Sequence, residues 1–117
     1  MHANPIRSIE RPFADANYRF ELKFDSASDY EKTSDKSLFS ALRHALAGVW
    51  FATDVREVIR LALIGGGTPP TDALRLVRDY VEKRPLAEST ELFTDILTAL
   101  FFGLDEKEGA KPDGEGR

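Results

Sequence analysis

The 117-residue chain is long enough for one small domain, and its 42% hydrophobic and 31% charged residues are ordinary for a soluble globular protein. The formal net charge of −4 disfavours nucleic-acid binding, which usually requires a basic surface. No apolar run reaches the roughly 18 residues of a membrane-spanning helix, and the absence of cysteine excludes disulfides and cysteine-based metal sites. The N-terminus lacks the apolar segment of a secretory signal, so we expect a cytoplasmic protein.

A period-two alternation near the N-terminus predicts a half-buried β-strand. The apolar residues of this pattern, which are expected to point inward, are Tyr18, Phe20, Leu22 and Phe24. Residues 14–17, with the sequence ADAN, are predicted to form the turn of a hairpin. Its first strand, near Ile6 to Ile9, has the weaker pattern of the two.

Spacings of three and four between apolar residues predict helices after this hairpin. Ser26 is expected to cap a short helical turn that ends near Lys32, and Ser34 or Asp35 to cap an amphipathic helix over about 36–49. The inward residues predicted for that helix are Leu38, Phe39, Leu42, Ala45, Leu46 and Val49.

The third helix is predicted to begin at a Thr53 cap, with Asp54 near its positive end, and to end at Gly65. Its predicted buried stripe is Val55, Val58, Ile59, Ala62 and Leu63. Thr68 is expected to cap a fourth helix with Pro69 at its first position, where the missing N–H costs no hydrogen bond. The residues of the fourth helix that are predicted to face inward are Leu74, Val77, Tyr80 and Val81.

Arg84-Pro85 should break the fourth helix, and a last helix is predicted over about 86–102, ending at Gly103. Its predicted buried face is Leu92, Phe93, Ile96, Leu97, Leu100 and Phe101. From Asp105 onward no apolar side chain is larger than alanine, so this tail is expected to be disordered.

The sequence therefore predicts a mainly α fold, a small helical domain of four to five helices preceded by an N-terminal β-hairpin. Residues 1–17 form an N-terminal segment with a weak first strand. Residues 18–103 are expected to form a single mostly helical domain, and residues 104–117 a disordered tail.

Gly65, Gly66 and Gly67, together with Pro69, lie between two predicted helices. A phosphate-binding P-loop would follow a strand and would end in a lysine, and neither condition holds here. The dinucleotide fingerprint also fails, because position 70 is a proline. The triplet is interpreted as a helix joint, with Gly65 in a left-handed conformation.

The sequence provides no catalytic constellation, so we expect neither an enzyme nor a cofactor or metal. Only two histidines exist, and neither has a second histidine at metal-ligand spacing. His44 is expected to be a solvated helix residue.

Three aromatic residues lie off the regular stripes, namely Trp50, Phe51 and Phe102. Trp50 and Phe51 either belong to a loop folded back onto the core or form an apolar contact for a partner. Phe102 is expected to be more exposed than Phe101, because adjacent helix positions differ by about 100°. Together with Trp50 and Phe51, Phe102 is a candidate contact for a partner protein.

Two arginine pairs raise the alternative of a DNA-binding helix-turn-helix, namely Arg56 with Arg60 and Arg75 with Arg78. Each pair shares a helix face, but aspartate and glutamate residues interrupt both. A solvated, ion-paired face is the favoured interpretation, and no nucleic acid is expected as a partner.

The order of these segments resembles a family of small phage tail proteins that also occurs in gene transfer agents, the phage-like particles of some bacteria. The most specific element is the glycine triplet after the third helix, and Tyr30-Glu31 matches the aromatic–glutamate pair of a short helix. The matching segments are YRFELKF (18–24), DYEKTSDKSLFSALRHALAG (29–48), ATDVREVIRLALIGGG (52–67), LVRDYVEKRPL (76–86) and ILTALFFG (96–103).

The resemblance implies a role in tail morphogenesis, either as a tail tube protein or as a tail assembly chaperone. Such chaperones are thought to coat the tape-measure protein and to bring tube subunits to it. A tube subunit needs a large β-sheet, and this sequence predicts one hairpin, so we favour the chaperone. Its partners would be the tape-measure and tail tube proteins, with self-association left open. A minor structural tail component and a small transcriptional regulator are the remaining alternatives.

Overall fold

The structure, a computed structural model, describes residues 6–104 as a β-hairpin followed by five α-helices. The predicted mainly α fold with an N-terminal hairpin is confirmed. The tail at 105–117, predicted to be disordered, lies outside the described residues. The elements are β1 (Ile9–Phe13), β2 (Ala16–Phe20), α1 (Phe24–Ser34), α2 (Leu38–Leu46), α3 (Ala52–Gly65), α4 (Pro70–Val77) and α5 (Ala87–Phe102).

The hairpin is shifted toward its turn compared with the prediction. Strands β1 and β2 are antiparallel, and Ile9 lies opposite Phe20. The connection is Ala14–Asp15 alone, and Ala14 has a φ of 58°, as the first central residue of a mirror-image hairpin turn does. The first strand, predicted near Ile6 to Ile9, therefore exists but begins only at Ile9, and Ile6 instead forms an isolated bridge with Leu104.

The strand pattern holds only as far as Leu22. Phe20 and Leu22 are buried as predicted, but Phe24 is 71% exposed. The period of two ends because the chain turns into α1 at Phe24, so this side chain follows helical rather than strand geometry. Lys23, rather than the predicted Ser26, occupies the N-cap position of α1.

Helix α2 begins later and is shorter than predicted. Its N-cap is Ser37, whose hydroxyl accepts a hydrogen bond from the Ser40 N–H at 3.1 Å. Neither Ser34 nor Asp35 caps it, and Asp35 instead adopts a left-handed conformation that ends α1.

Only part of the predicted inward stripe of α2 is buried. Leu38, Leu42 and Ala45 are in the core, whereas the predicted inward Phe39, Leu46 and Val49 are 42%, 68% and 49% exposed. A helix that packs on one side can bury only a limited arc of its surface, and α5 is the main helix against which α2 packs.

Helix α3 is the central element of the fold, because it packs against α4, α5 and β2. Its N-cap residue is Phe51, so the predicted Thr53 cap is wrong. Asp54 lies in the first turn, as predicted. The predicted buried stripe is confirmed in full by Val55, Val58, Ile59, Ala62 and Leu63, each at 0% exposure.

The glycine triplet joins α3 to the next helix, but its conformation differs from the prediction. Gly65 is the last residue of α3, and Gly66 has a φ of −85°. The left-handed conformation expected at Gly65 occurs instead at Gly67, with a φ of 115°.

Gly65 and Gly66 are required for a close approach of α3 to β2. An added Cβ would lie 2.0 Å from the Glu21 carbonyl oxygen at Gly65, and 1.9 Å from the Arg19 carbonyl oxygen at Gly66. The Glu21 N–H also donates to the Ala62 carbonyl oxygen at 3.0 Å. The end of α3 therefore covers the outer edge of β2, at a distance that only glycine permits.

Pro69, not Thr68, is the N-cap of α4, and Pro70 occupies the first helical position. Helix α4 continues into a π-helical turn, Arg78–Glu82, before the predicted break at Arg84-Pro85. Leu74 is 38% exposed rather than inward. The buried residues of this region are Ala73, Leu76, Val77 and Val81.

Helix α5 ends as predicted, since Gly103 has a positive φ of 73°. Its buried residues include Phe93, Ile96 and Leu97, as predicted, whereas Phe101 is 38% exposed. Phe102 is more exposed than Phe101, at 65%, which confirms that prediction.

We expect Gly66→Ala to lower the free energy of unfolding by about 3 kcal/mol or more, because the methyl group would collide with a backbone carbonyl that cannot move independently. Gly67→Ala is the control, since an added Cβ there meets nothing within 4 Å. It should cost only about 1 kcal/mol, from its left-handed backbone. Urea unfolding of both variants tests this. Equal losses would show that the close approach does not constrain the fold.

Candidate protein-binding surface

The ring of Phe39 from α2 lies against those of Phe101 and Phe102 from α5 on the protein surface. The ring of Phe39 lies edge-on to Phe101, with centroids 5.3 Å apart, and 6.4 Å from Phe102. Edge-to-face geometry is favourable for aromatic pairs. All three remain substantially exposed, at 42%, 38% and 65% respectively.

The exposed apolar surface continues along α2. Leu46, which is 68% exposed, follows Phe39 by seven positions and therefore lies on the same side of the helix. We define the apolar face as Phe39, Leu46, Phe101 and Phe102. Single exposed apolar side chains are common on protein surfaces, but contiguous groups of them mark interaction sites.

A groove of about 320 Å³ adjoins the apolar face at Phe101. Its walls come from α1, α2 and α5, and it combines apolar with polar side chains. The lining residues are Arg7, Phe24, Ala27, Ser28, Glu31, Leu38, Leu100 and Phe101. This volume is large enough to accept a bulky side chain from a partner.

The three predicted contact residues are all exposed, but they are not one cluster. Trp50 is 44% and Phe51 54% exposed, and both lie in the loop between α2 and α3. Phe102 belongs to the apolar face, and within residues 6–104 no ring contact joins it to either of them. The Lys36 ammonium lies 4.8 Å from the centroid of the Phe51 ring, a cation–π arrangement. A role of these residues in partner binding stays a prediction.

Sequence reasoning missed most of the apolar face, because it placed Phe39, Leu46 and Phe101 in the core. One signal was present: the segment from Leu38 to Phe51 has apolar residues on more sides than a one-sided helix can bury. Such an excess requires either a second buried side or an exposed apolar surface.

A buried polar network fixes the orientation of the helices behind this surface. The Asp54 carboxylate, which is 2% exposed, accepts hydrogen bonds from the Tyr30 hydroxyl and, at 3.0 Å, from the Lys36 ammonium. The Glu31 carboxylate accepts from the Leu38 N–H at 2.7 Å and so binds the N-terminus of α2. The network therefore ties α1 and the start of α2 to α3.

Burial raises the pKa of Tyr30, and the hydrogen bond to the Asp54 carboxylate raises it further. Tyr30 therefore stays protonated and remains a donor well above the pH at which an exposed tyrosine ionises. The lysine and the tyrosine together compensate a carboxylate that would otherwise be buried without a partner.

The arginines of α3 are neutralised within the fold. The Glu57 carboxylate accepts from Arg56 at 3.0 Å and from Arg60 at 2.8 Å, and Arg56 also reaches Glu82 at 3.3 Å. Burial by itself would raise the pKa of Glu57, but the two arginines outweigh this and lower it. This pairing leaves α3 without the free positive charge that a DNA-binding helix would present to phosphates.

The backbone N–H groups of the glycine joint are not free to bind a phosphate group. The N–H groups of Gly66, Gly67 and Thr68 all donate to carbonyl oxygens of α3. The carbonyl oxygens of Glu21, just after β2, and of Arg19 in β2 also lie against Gly65 and Gly66, and these would repel an anion.

Across residues 6–104 no group of three or more histidine, aspartate or glutamate side chains is arranged to hold a metal ion. Within the same residues no helix has the length and apolar character needed to cross a membrane. His44 is exposed on α2, as predicted.

Residues 6–104 thus form a small helical domain with an exposed aromatic surface. A scan against protein families matches residues 8–103 to the family described as phage tail tube protein, GTA-gp10, and the chain belongs to this family of phage and gene-transfer-agent tail proteins. Searches of curated proteins and of solved structures return no significant match. Membership of a tail family implies a role in the phage tail and association with other tail proteins.

The polar network gives rise to a pH-dependent prediction. Tyr30→Phe should lower the free energy of unfolding by about 1–2 kcal/mol at neutral pH, because Asp54 loses a buried donor. Above about pH 10 the unfolded chain releases the tyrosine proton while the folded chain retains it, so this contribution of Tyr30 to stability declines as pH rises. The difference between wild type and variant should therefore shrink.

Urea unfolding at neutral pH and at about pH 10.5 measures this difference. Tyr80→Phe is the control at neutral pH, where it should differ little from wild type because the Tyr80 hydroxyl forms no hydrogen bond within residues 6–104. A constant difference for Tyr30→Phe across this range would contradict the assigned role of Tyr30.

Proposed function

We propose that the protein is a tail assembly chaperone, which holds the tape-measure protein and tail tube subunits during particle assembly in the cytoplasm. The exposed apolar face is the observation that carries this proposal. A protein that binds other chains reversibly must keep such a surface accessible when it is free. Full burial of one such side chain contributes about 1.5–3 kcal/mol, so a partner that covers the face gains substantial free energy.

The described fold supports a chaperone better than a tube subunit. Tube subunits build a ring from large β-sheets, whereas residues 6–104 contain a single two-stranded sheet. The outer edge of β2 is already covered by the end of α3, since the Arg19 carbonyl oxygen lies against Gly66. Pro12 lies in the other strand and lacks an N–H, which limits the pairing of a further strand there.

We expect Phe39→Ser and Phe102→Ser to weaken capture of the tape-measure or tube protein encoded in the same gene cluster. Both side chains are already substantially exposed, so the melting temperature should change little. Leu74→Ser is the matched control, because Leu74 is 38% exposed but lies on α4, outside the apolar face. Pull-downs measure the loss of capture, and thermal melts of the same variants measure any loss of stability. Capture that the Phe39 and Phe102 variants leave intact would assign binding to another surface.

Trp50 and Phe51 test whether the binding surface extends to the loop between α2 and α3. We expect Trp50→Ser and Phe51→Ser to weaken capture while costing less than the roughly 3–5 kcal/mol of truncating a core aromatic residue. Thermal melts and pull-downs of these two variants test this expectation. Large melting losses at both positions, with capture preserved whenever the protein is folded, would show that the two residues support the fold only.

A minor structural component of the finished tail is the second candidate, and the family description supports it. Mass spectrometry of purified particles distinguishes the two functions. An assembly chaperone should be absent from the particles but present in lysates of producing cells. A fixed number of copies per particle would establish the structural role instead.

A further inference from the structure

The segments that form the apolar face contain no acidic residue. None of the 20 aspartate and glutamate residues of the chain falls within 36–53, which includes α2 and the following loop, or within 96–104, which ends α5. The charged residues there are Lys36 and Arg43, and Lys36 is already bound to Asp54. In a chain with a net charge of −4, these segments are locally positive.

Arg43 lies within the apolar face rather than beside it. It follows Phe39 by four positions and precedes Leu46 by three, so the three side chains share one side of α2. Arg43 is exposed and has no ion-pair partner within residues 6–104. A guanidinium in this setting can form two parallel hydrogen bonds with a carboxylate. This ion pair becomes stronger when a bound partner excludes water from the surrounding apolar surface.

The geometry of the face favours a helical ligand. Its main component is the side of an α-helix, whose backbone groups are used internally, so a partner strand would find no N–H or C=O to pair with. A helix laid along α2 could instead place its side chains between those of Phe39 and Leu46. The distance between these positions corresponds to about two helical turns, or about 10.5 Å.

We infer that the apolar face, together with Arg43, binds an acidic amphipathic helix of a partner tail protein. The apolar side of that helix packs against Phe39, Leu46 and Phe102, and one of its carboxylates pairs with Arg43. This inference rests on the proposed chaperone function and specifies the chemistry of its ligand.

Two other occupants fit the face less well. In a twofold-symmetric dimer formed through this face, the two Arg43 guanidinium groups would approach each other without an acidic partner from α2 or the end of α5. Residues 105–117 carry acidic side chains, but no apolar side chain larger than alanine, so they could not cover the phenylalanine rings.

The test is the affinity of purified protein for the tape-measure and tube proteins of its gene cluster, measured by calorimetry at low and high salt. Arg43→Glu should weaken binding by about tenfold or more at low salt and should reduce its salt dependence. Arg78→Glu makes the same charge change on the π-helical turn after α4, and should change the affinity less than about twofold. Both variants should stay folded, because neither arginine has an ion-pair partner within residues 6–104. Arg43→Glu should lower the melting temperature only slightly, through the negative charge that it places in the last turn of α2.

A second measurement identifies the paired carboxylate. Reversing single acidic residues of the bound partner helix to lysine should restore affinity for Arg43→Glu at one position, as a charge-swap cycle shows.

The outcomes separate the inference from the function on which it rests. Full affinity of Arg43→Glu for a tail protein that the wild type binds would overturn the acidic-helix inference and leave the chaperone function standing. Failure of the wild type to bind either tail protein would reject the chaperone function, and the inference with it. A free protein that sediments as a dimer, and that Phe102→Asp dissociates, would assign the face to a second copy and overturn the inference.

Discussion

The close packing of the end of α3 against β2 is the constraint on which the rest of the fold depends. Two successive glycines let the helix backbone approach the carbonyl oxygens of Arg19 and Glu21, and the Ala62 carbonyl oxygen accepts the Glu21 N–H. A two-stranded hairpin is at best marginally stable by itself, so it requires this support. In return, Phe20 and Leu22 complete the core over the helices. The glycine triplet is thus a packing device as well as a connection.

The apolar face owes its position to a second constraint, the buried carboxylate of Asp54. Because Tyr30 and Lys36 both donate to it, α1 and the start of α2 are held against the first turn of α3. The Glu31 carboxylate then fixes the N-terminus of α2 through the Leu38 N–H. With its start fixed and Leu38, Leu42 and Ala45 directed into the core, α2 presents Phe39, Arg43 and Leu46 outward. A polar network that stabilises the fold therefore also orients the surface to which we assign binding.

The sequence predicted the features that depend on periodicity within one helix, but not those that depend on contacts between elements. The stripe of α3 was predicted in full, because a central helix is buried on the side that its periodicity marks. The left-handed glycine was predicted at Gly65 but lies at Gly67, since the contact of Gly65 and Gly66 with the β2 segment is a tertiary feature that the local pattern does not contain. The exposed residues of α2 were misassigned for a similar reason: apolar spacing shows which residues share a side, but not whether a neighbouring element covers that side. Phe102 was recognised as exposed because adjacent helix positions cannot be equally deep.

Burial of these residues against other parts of the chain would have stabilised the fold more simply, but within residues 6–104 they remain exposed. Helix α2 is apolar on the side that faces α5 and again at Phe39 and Leu46, while the hairpin and α4 pack elsewhere around α3. A fold selected for stability alone would place polar residues at these exposed positions, since they would favour solubility at little cost. On the proposed chaperone function, another tail protein would supply the remaining cover for α2. A carboxylate beside Arg43 would then compete with the carboxylate of that partner, which would account for the lack of acidic residues in these segments.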